Sequence, residues 1–463
     1  MFEDTYFLDF EEAIRIASQQ NRQNLSVLQA CYYAGEKIET DFENLIHLPF
    51  ESFVDTLSKG VHRLPTKIDF TNLDISDEVK EEIEDSFQSL LTQTNSIRKI
   101  LNEEYVKALK NRKLNFNEPW RFYLTAHSNS QVLQYVAKAI AETLESMGYS
   151  VFFDLRNGTE DMSCSKNIFL FNPHVTINLN AMNTWQIADD VFNFVWFQDP
   201  MPFLMDGKQV QIRKKDFVFS LLPIFDEMLK RKGIPFERQG FCINEKIYKN
   251  NPEIKREKKI VFIGSSYLKS IPYKENIKLA VKELEKIFLE GDSFTDELTA
   301  LISEKYELNV NFVSTRLIPY IVRDIGLLKL CKINSDYKIE IYGHGWDVYE
   351  ELKPYYKGSL KYGKEIANVY NSATFAFAPH QQYTLQQRTF EASACGAIPI
   401  VYDCREISDE DSYEEALCYY KTTQDLEKIL TADIPEKDFS RLLQSHTYKS
   451  FAKKILKIIE DNK

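Results

Sequence analysis

Residues 339–401 read IEIYGHGWDVYEELKPYYKGSLKYGKEIANVYNSATFAFAPHQQYTLQQRTFEASACGAIPIV. IEIY is a short β-rich run that stops at Gly343-His344-Gly345-Trp346, where glycine lets backbone approach a ligand closely and Trp346 offers an aromatic face. TFAFAPH is a second such run, and its end delivers His380. QQRTFEASACG has helical character and sets Arg388 and Glu391 three apart, so that both project from one face. Ala392, Ser393, Ala394, Cys395 and Gly396 are small, which lets this helix pack tightly, and the apolar strand AIPIVYD follows. Strands alternating with helices build a parallel sheet, and ligands of such sheets collect beyond the carboxyl ends of the strands.

The same alternation extends outward. KKIVFIGSS opens this α/β set and YKIEIYGHGW continues it. An earlier set begins at Trp120 with WRFYLT, then Ser128-Asn129-Ser130 as capping residues, then a helix striped by Val132, Leu133, Val136, Ile140 and Leu144 and stopped at Gly148. YSVFFD, NIFLFN, NFVWFQ and DFVFS read as further short buried strands. Between the sets, residues 244–259 are polar, lack an apolar stripe and read as a linker. Before residue 118 no strand is evident; Ile83, Phe87, Leu90 and Leu91 recur at helical spacing, and Ile97, Ile100 and Leu101 continue after a shift. The expected fold is α/β, with two doubly wound Rossmann-like domains behind an N-terminal helical extension. The extension covers residues 1–117, the first domain 118–245, the second 258–435 and a C-terminal helix 436–463. Between two such domains a cleft is expected. The extension is expected to serve as scaffold, or for oligomer or partner contact.

Composition narrows the function. The 463 residues carry a formal net charge of −12, which repels phosphate backbones and anionic headgroups, so nucleic acid is not an expected partner. The basic cluster at residues 255–259 reads as a solvated linker. Seven cysteines are scattered without CxxC spacing, which argues for a reducing cytoplasm over a disulfide framework or zinc site. The acidic start MFEDTYFLDF is unlike a secretory signal, and the charge-free stretch 167–188 is too rich in Asn, Thr, His and Gln to span a membrane.

Three groups of residues carry candidate chemistry. An arginine at position 388 can hold a diphosphate through a forked contact, and Glu391 can accept hydrogen bonds from two ribose hydroxyls. On spacing alone, a surface ion pair is the better reading of the pair; the strand–loop–helix–strand context shifts the balance to the site. Gly264 and Ser265, at the end of KKIVFI, can present backbone N–H groups to phosphate. His127, His174 and Asp199 in the first domain are candidates for deprotonating an acceptor hydroxyl, although Asp199 before Pro200 also suits a turn. Asp409-Glu410-Asp411 reads as a solvated turn; no residue is expected to ligate a metal, and HExxH, Walker, GxSxG and GxGxxG motifs are absent.

R-x-F-E-A-x-A-C-G-A, here Arg388, Phe390, Glu391, Ala392, Ala394, Cys395, Gly396 and Ala397, follows I-Y-G-x-G-W and resembles group 1 glycosyltransferases. The branch it resembles is the CgeB-like one, often found in bacterial protein or cell-surface glycosylation; Gly358 and Tyr370-Asn371 belong to the same pattern. The resemblance is specific over about the last 125 residues and weaker through WFQDPMP and DFVFS. It implies a GT-B fold, a nucleoside diphosphate-sugar donor and no obligatory metal or other cofactor. It implies Arg388 on the diphosphate and Glu391 on the ribose; by their places at strand ends, Gly264, Ser265, Gly343, Trp346 and His380 are expected around that donor too. The transferred unit is expected to be hexosyl or N-acetylhexosaminyl, and the acceptor a hydroxyl of a protein, a glycan or a small molecule. Many retaining relatives carry a second glutamate eight positions before the Glu391 equivalent, where this chain has Tyr383, so the stereochemical outcome stays open. Two rivals remain: a sugar-nucleotide epimerase of the same fold, and a non-catalytic nucleotide-sugar-binding or assembly protein.

Overall fold

The computed structural model describes residues 3–463 apart from 21–24, 26, 129, 157–160, 200, 207–208 and 409–410. Asn129, Pro200, Asp409 and Glu410, named above, lie outside the described residues. The chain forms two compact units, residues 1–238 with 455–463, and residues 239–454.

The first unit holds two parallel sheets. Four three-residue strands, β1 (Thr5–Phe7), β2 (Cys31–Tyr33), β3 (Leu45–His47) and β4 (Lys67–Asp69), pair in the order β3-β2-β1-β4. This corrects the expectation of a purely helical extension. Each strand is too short to show a period of two, which hides it from a pattern reading. Tyr6 and Tyr32 of this sheet are buried with Phe53, Leu57 and Phe87. The helical part of the expectation is the helix Asp77–Lys110, capped by Ser76, whose hydroxyl accepts from Val79 N. Its shifted stripe has a cause: Thr94 and Arg98 turn inward, Ile100 faces solvent, and the Arg98 Nε donates to Leu57 O at 2.8 Å.

The second sheet of this unit runs β10-β9-β8-β7-β5-β6, all parallel: β5 (Arg121–His127), β6 (Ser150–Arg156), β7 (Val175–Leu179), β8 (Phe192–Phe197), β9 (Asp216–Ser220) and β10 (Phe236–Arg238). NIFLFN is not a strand but the end of the helix Asp161–Phe171, and the strand follows it as VTINL. A four- to six-residue apolar run does not distinguish the two. The chain passes from β5 to β6 on one side and then to β7 on the other. The crevice of this sheet therefore lies at the carboxyl ends of β5 and β7.

The second unit has one parallel sheet, β12-β11-β13-β14-β15, from β11 (Glu257–Ile263), β12 (Lys338–Tyr342), β13 (Ala373–Phe377), β14 (Ile398–Tyr402) and β15 (Cys418–Tyr420). Its order reverses between β11 and β13. Residues 244–259, read as a linker, are packed into this unit. Tyr248 is buried, and Arg256 donates from Nη2 to Cys395 O at 2.9 Å. Lys259 is buried against Glu340 at 3.2 Å, so the basic cluster is partly internal. Among the described residues, no helix is long and apolar enough to cross a membrane, and all seven cysteines are free thiols.

Candidate functional site

The order reversal in the second unit brings together the loop after β11 and the loop and helix after β13, and these carry five of the seven donor candidates. The β11 loop is tied to the β12 loop by backbone. Gly264 N donates to Tyr342 O at 2.9 Å and Ser266 N to His344 O at 2.9 Å. Gly343 takes a φ of 130°, and a Cβ there would lie 2.2 Å from Gly264 O. Glycine is thus required at 343 for two loops to touch.

Trp346 is not a ligand platform. It is fully buried, stands edge-on to Phe262 at 5.3 Å, and donates from Nε1 to Gly264 O at 2.6 Å. The aromatic residue after a glycine turn has folded back into the core, where its indole N–H satisfies the loop carbonyl. Trp346→Phe is therefore expected to cost about 1–3 kcal/mol of stability by stranding a buried acceptor. Chemical denaturation measures this, and an unchanged midpoint would contradict the assignment.

Arg388 lies in the first turn of the helix Gln387–Ala394, and its guanidinium lies against Gly264: a Cβ on Gly264 would meet its Nη1 at 2.7 Å. Here glycine supplies room, not a special φ. Among the described residues Arg388 makes no ion pair or hydrogen bond, and its Nη1 is buried without a partner. Its guanidinium lies 5.7 Å from the Phe262 ring centroid. Glu391, one turn on, is 4 % exposed. Its Oε1 accepts from Gln387 Nε2 at 3.1 Å and from Tyr362 OH at 3.3 Å. Burial lifts its carboxyl to about 7, against the hydrogen bonds and Arg388, which favour the charged form. The surface ion pair that spacing also allowed is not formed. Ala392 and Cys395 are fully buried with Val261, Ala373 and Ala376, which explains the small residues: they let this helix sit close on β11 and β13.

His380 ends the β13 segment, half-buried, with the Tyr383 ring 3.8 Å from its own. Its Nδ1 accepts from Gln382 N at 3.2 Å, which leaves the proton of the neutral ring on Nε2. Burial, then Arg323 and Arg388, push its pKa well below the ordinary 6.5, so it is a neutral donor.

Arg323, which the sequence analysis did not single out, also reaches this loop. Its Nη1 donates to Ser265 O at 3.2 Å and its guanidinium lies 4.1 Å from the Tyr267 ring centroid. A signal was present: Arg323-Asp324 interrupts the apolar run LIPYIVRDIGLLKL, and charges in a buried helix need a reason.

In the first unit, His127 stands at the carboxyl end of β5 and is half-buried. Asp199 is exposed just beyond β8, and its Oδ2 accepts from Asn180 Nδ2 at 2.8 Å. The two share one sheet edge with β7 between them, about 10 Å apart by strand spacing. Asn180, with a φ of 57°, ends β7 and also accepts from Gln198 N and Asp199 N; the sequence analysis missed it. His174 is a correction. It precedes β7 at the opposite, amino edge and is fully buried, stacked on Trp120 at 5.5 Å. Its Nδ1 accepts from Arg121 N at 3.1 Å and its Nε2 contacts Asn115 O at 3.1 Å, so both ring nitrogens serve the fold. An open cavity of about 530 Å³ in this unit is lined by Trp185, Asn102 and Lys107, and holds none of the candidates.

Residues 325–457 match a family model described as glycosyl transferase-like. That segment contains His380, Arg388 and Glu391 but not Gly264, Ser265 or Arg323. A search of curated protein sequences finds no match. Among solved structures, the chain is similar to sucrose-phosphate synthase from Thermosynechococcus elongatus, at 11% identity over 74% of this chain and 98% of that one, with a TM-score of 0.46. It is similar to AviGT4, a glycosyltransferase involved in avilamycin A biosynthesis, at 11% identity over 73% and 96%, TM-score 0.41. It is similar also to the glycosyltransferase SnogD from Streptomyces nogalater, at 9% identity over 74% and 100%, TM-score 0.36. These structural likenesses are loose.

Proposed function

We propose that this protein is a glycosyltransferase of the GT-B kind, in the CgeB-like branch, that moves a hexosyl or N-acetylhexosaminyl unit from a nucleoside diphosphate-sugar to a hydroxyl of a protein or cell-surface glycan. One observation carries this reading: a guanidinium with no ion pair or hydrogen bond among the described residues, Arg388, lies on a glycine loop at the order reversal of a parallel sheet, one helical turn from the buried acceptor Glu391. Arg388 takes the diphosphate, Glu391 the ribose hydroxyls, and the Nε2–H of His380 a sugar or phosphate oxygen. Stabilising charge that develops on the departing diphosphate is the largest single contribution such a site can make. No metal or other cofactor is needed, since the cations are supplied by side chains. The acceptor hydroxyl must give up its proton, and His127 and Asp199 are the side chains whose chemistry suits that base.

The test is a thermal-shift screen against UDP-, GDP-, TDP- and CMP-sugars. A selective rise with one nucleoside diphosphate-sugar, followed by nucleotide release with an acceptor, is the expected result. Isomerised donor without acceptor would establish the epimerase instead. Binding without turnover under any acceptor would establish a non-catalytic protein.

A further inference from the structure

The helix from Val310 to Leu330 is not regular. It contains two π-helical turns, Val313–Leu317 and Ile321–Ile325, on either side of Pro319. Proline removes one backbone donor, and the ladder widens around it. Such wide turns recur at functional sites because they re-aim side chains. Here the second turn aims Arg323 and Asp324 at the loop after β11. The Asp324 carboxylate accepts from Ser266 Oγ at 2.5 Å, Tyr267 N at 3.2 Å and Tyr349 OH at 2.8 Å. It braces the loop and forms no ion pair with its neighbour.

Arg323 forms no ion pair among the described residues, although the neighbouring Asp324 attracts it. It is 8 % exposed, its Nε is buried without a partner, and its contacts are a carbonyl and a tyrosine ring. Arg388 lies against Gly264 and Arg323 against the next residue, Ser265; burial and then repulsion from Arg388 depress the Arg323 pKa to about 10. Both also act on His380. Buried cations are normally paired with carboxylates. Two of them meet one glycine loop beside a neutral imidazole, and among the described residues neither forms an ion pair with the carboxylates nearby, Asp324 and Glu391; such a site is suited to an anion of more than one charge.

We propose that Arg323 is the second arm of a two-arginine clamp on the donor diphosphate, Arg388 reaching it from the helix Gln387–Ala394 and Arg323 from the π-helical turn. The inference rests on the donor reading above and deepens it: the site selects a diphosphate over a monophosphate linkage. On transfer, the bond between the anomeric carbon and the β-phosphate oxygen breaks with its electron pair on that oxygen. The acceptor oxygen bonds the same carbon and yields its proton to the base. The clamp holds the nucleoside diphosphate as it leaves.

Calorimetric titration of the full chain with inorganic pyrophosphate, inorganic phosphate, UDP, GDP, TDP and CMP tests this, using wild type, Arg323→Met and Arg323→Lys. Methionine matches the length of the buried stem without a charge; lysine keeps a charge without the fork. Wild type is expected to bind pyrophosphate and at least one nucleoside diphosphate, and to bind phosphate and CMP at least tenfold more weakly. Pyrophosphate affinity is expected to fall about tenfold in Arg323→Lys and about a hundredfold in Arg323→Met. If both variants bind pyrophosphate as wild type does, while Arg388→Ala does not, the clamp is overturned and the donor reading stands. If wild type binds none of the diphosphates, the donor reading fails first. Should Arg323→Met not fold, Arg323→Lys at wild-type affinity is enough to overturn the clamp.

Discussion

Arg388→Ala is expected to lower kcat/KM for sugar transfer about 10²–10³-fold, the usual loss when a preorganised charge-stabilising donor is removed. The melting temperature is expected to stay within a degree or two of wild type. The second half follows from the contacts. The side chain makes no ion pair or hydrogen bond among the described residues, and its one ring contact is long. Removing a cation that repels Arg323 offsets the lost packing on Phe262. The first half follows from place: the guanidinium touches the glycine loop where the diphosphate would lie. Steady-state kinetics with the donor found by screening decides it, and transfer at the wild-type rate would sink the assignment.

Glu391→Gln is expected to split stability from function. The carboxyl of Glu391 sits at about 7, above its ordinary value of 4.5. Between those values the folded protein keeps a proton that the unfolded chain gives up. Stability therefore declines as pH rises from about 4.5 to about 7, and the deficit is complete above that. A shift of this size is worth on the order of 3 kcal/mol. Glutamine has the same shape and no charge to bury. At pH 8 the variant is expected to melt several degrees higher than wild type, at roughly 2–4 °C per kcal/mol for a unit of this size, and at pH 5 the two should nearly coincide. Donor affinity moves the other way. An amide accepts through one oxygen only, so ribose recognition weakens about tenfold or more; wild type itself should lose donor affinity below about pH 7. Equal melting curves for both proteins at pH 8 would show that the carboxylate is not buried as described.

The parts of this arrangement that could be read from sequence were those with long-lived patterns. Strand–helix alternation from Trp120 onward located β5, β6, β8, β9 and four of the five strands of the second unit. The spacing of Arg388 and Glu391, with small residues after them, located the helix that carries both. Other features depended on information a linear pattern lacks. The three-residue strands of the N-terminal sheet have no measurable period. NIFLFN is apolar enough for either structure, and only its packing against the helix Asp77–Lys110 settles it. Trp346 and His174 were chosen for chemical type, but burial decides whether an indole or imidazole meets a ligand, and both are enclosed. The apolar run around Arg323 marks it as a buried charge, but not what it serves, because its neighbours at the loop are 58 positions away in the chain.

The N-terminal sheet carries a consequence for truncation. β1 is not an edge: it is bonded to β2 on one side and to β4 on the other. Seven residues from the start of the chain, then, lies the spine of a sheet whose other members arrive up to sixty positions later. Trimming the chain to Leu8 would not shorten a tail. It would leave the other three strands as a pair and a singlet, baring two hydrogen-bonding edges at once, and bare edges recruit other copies of the chain into aggregates.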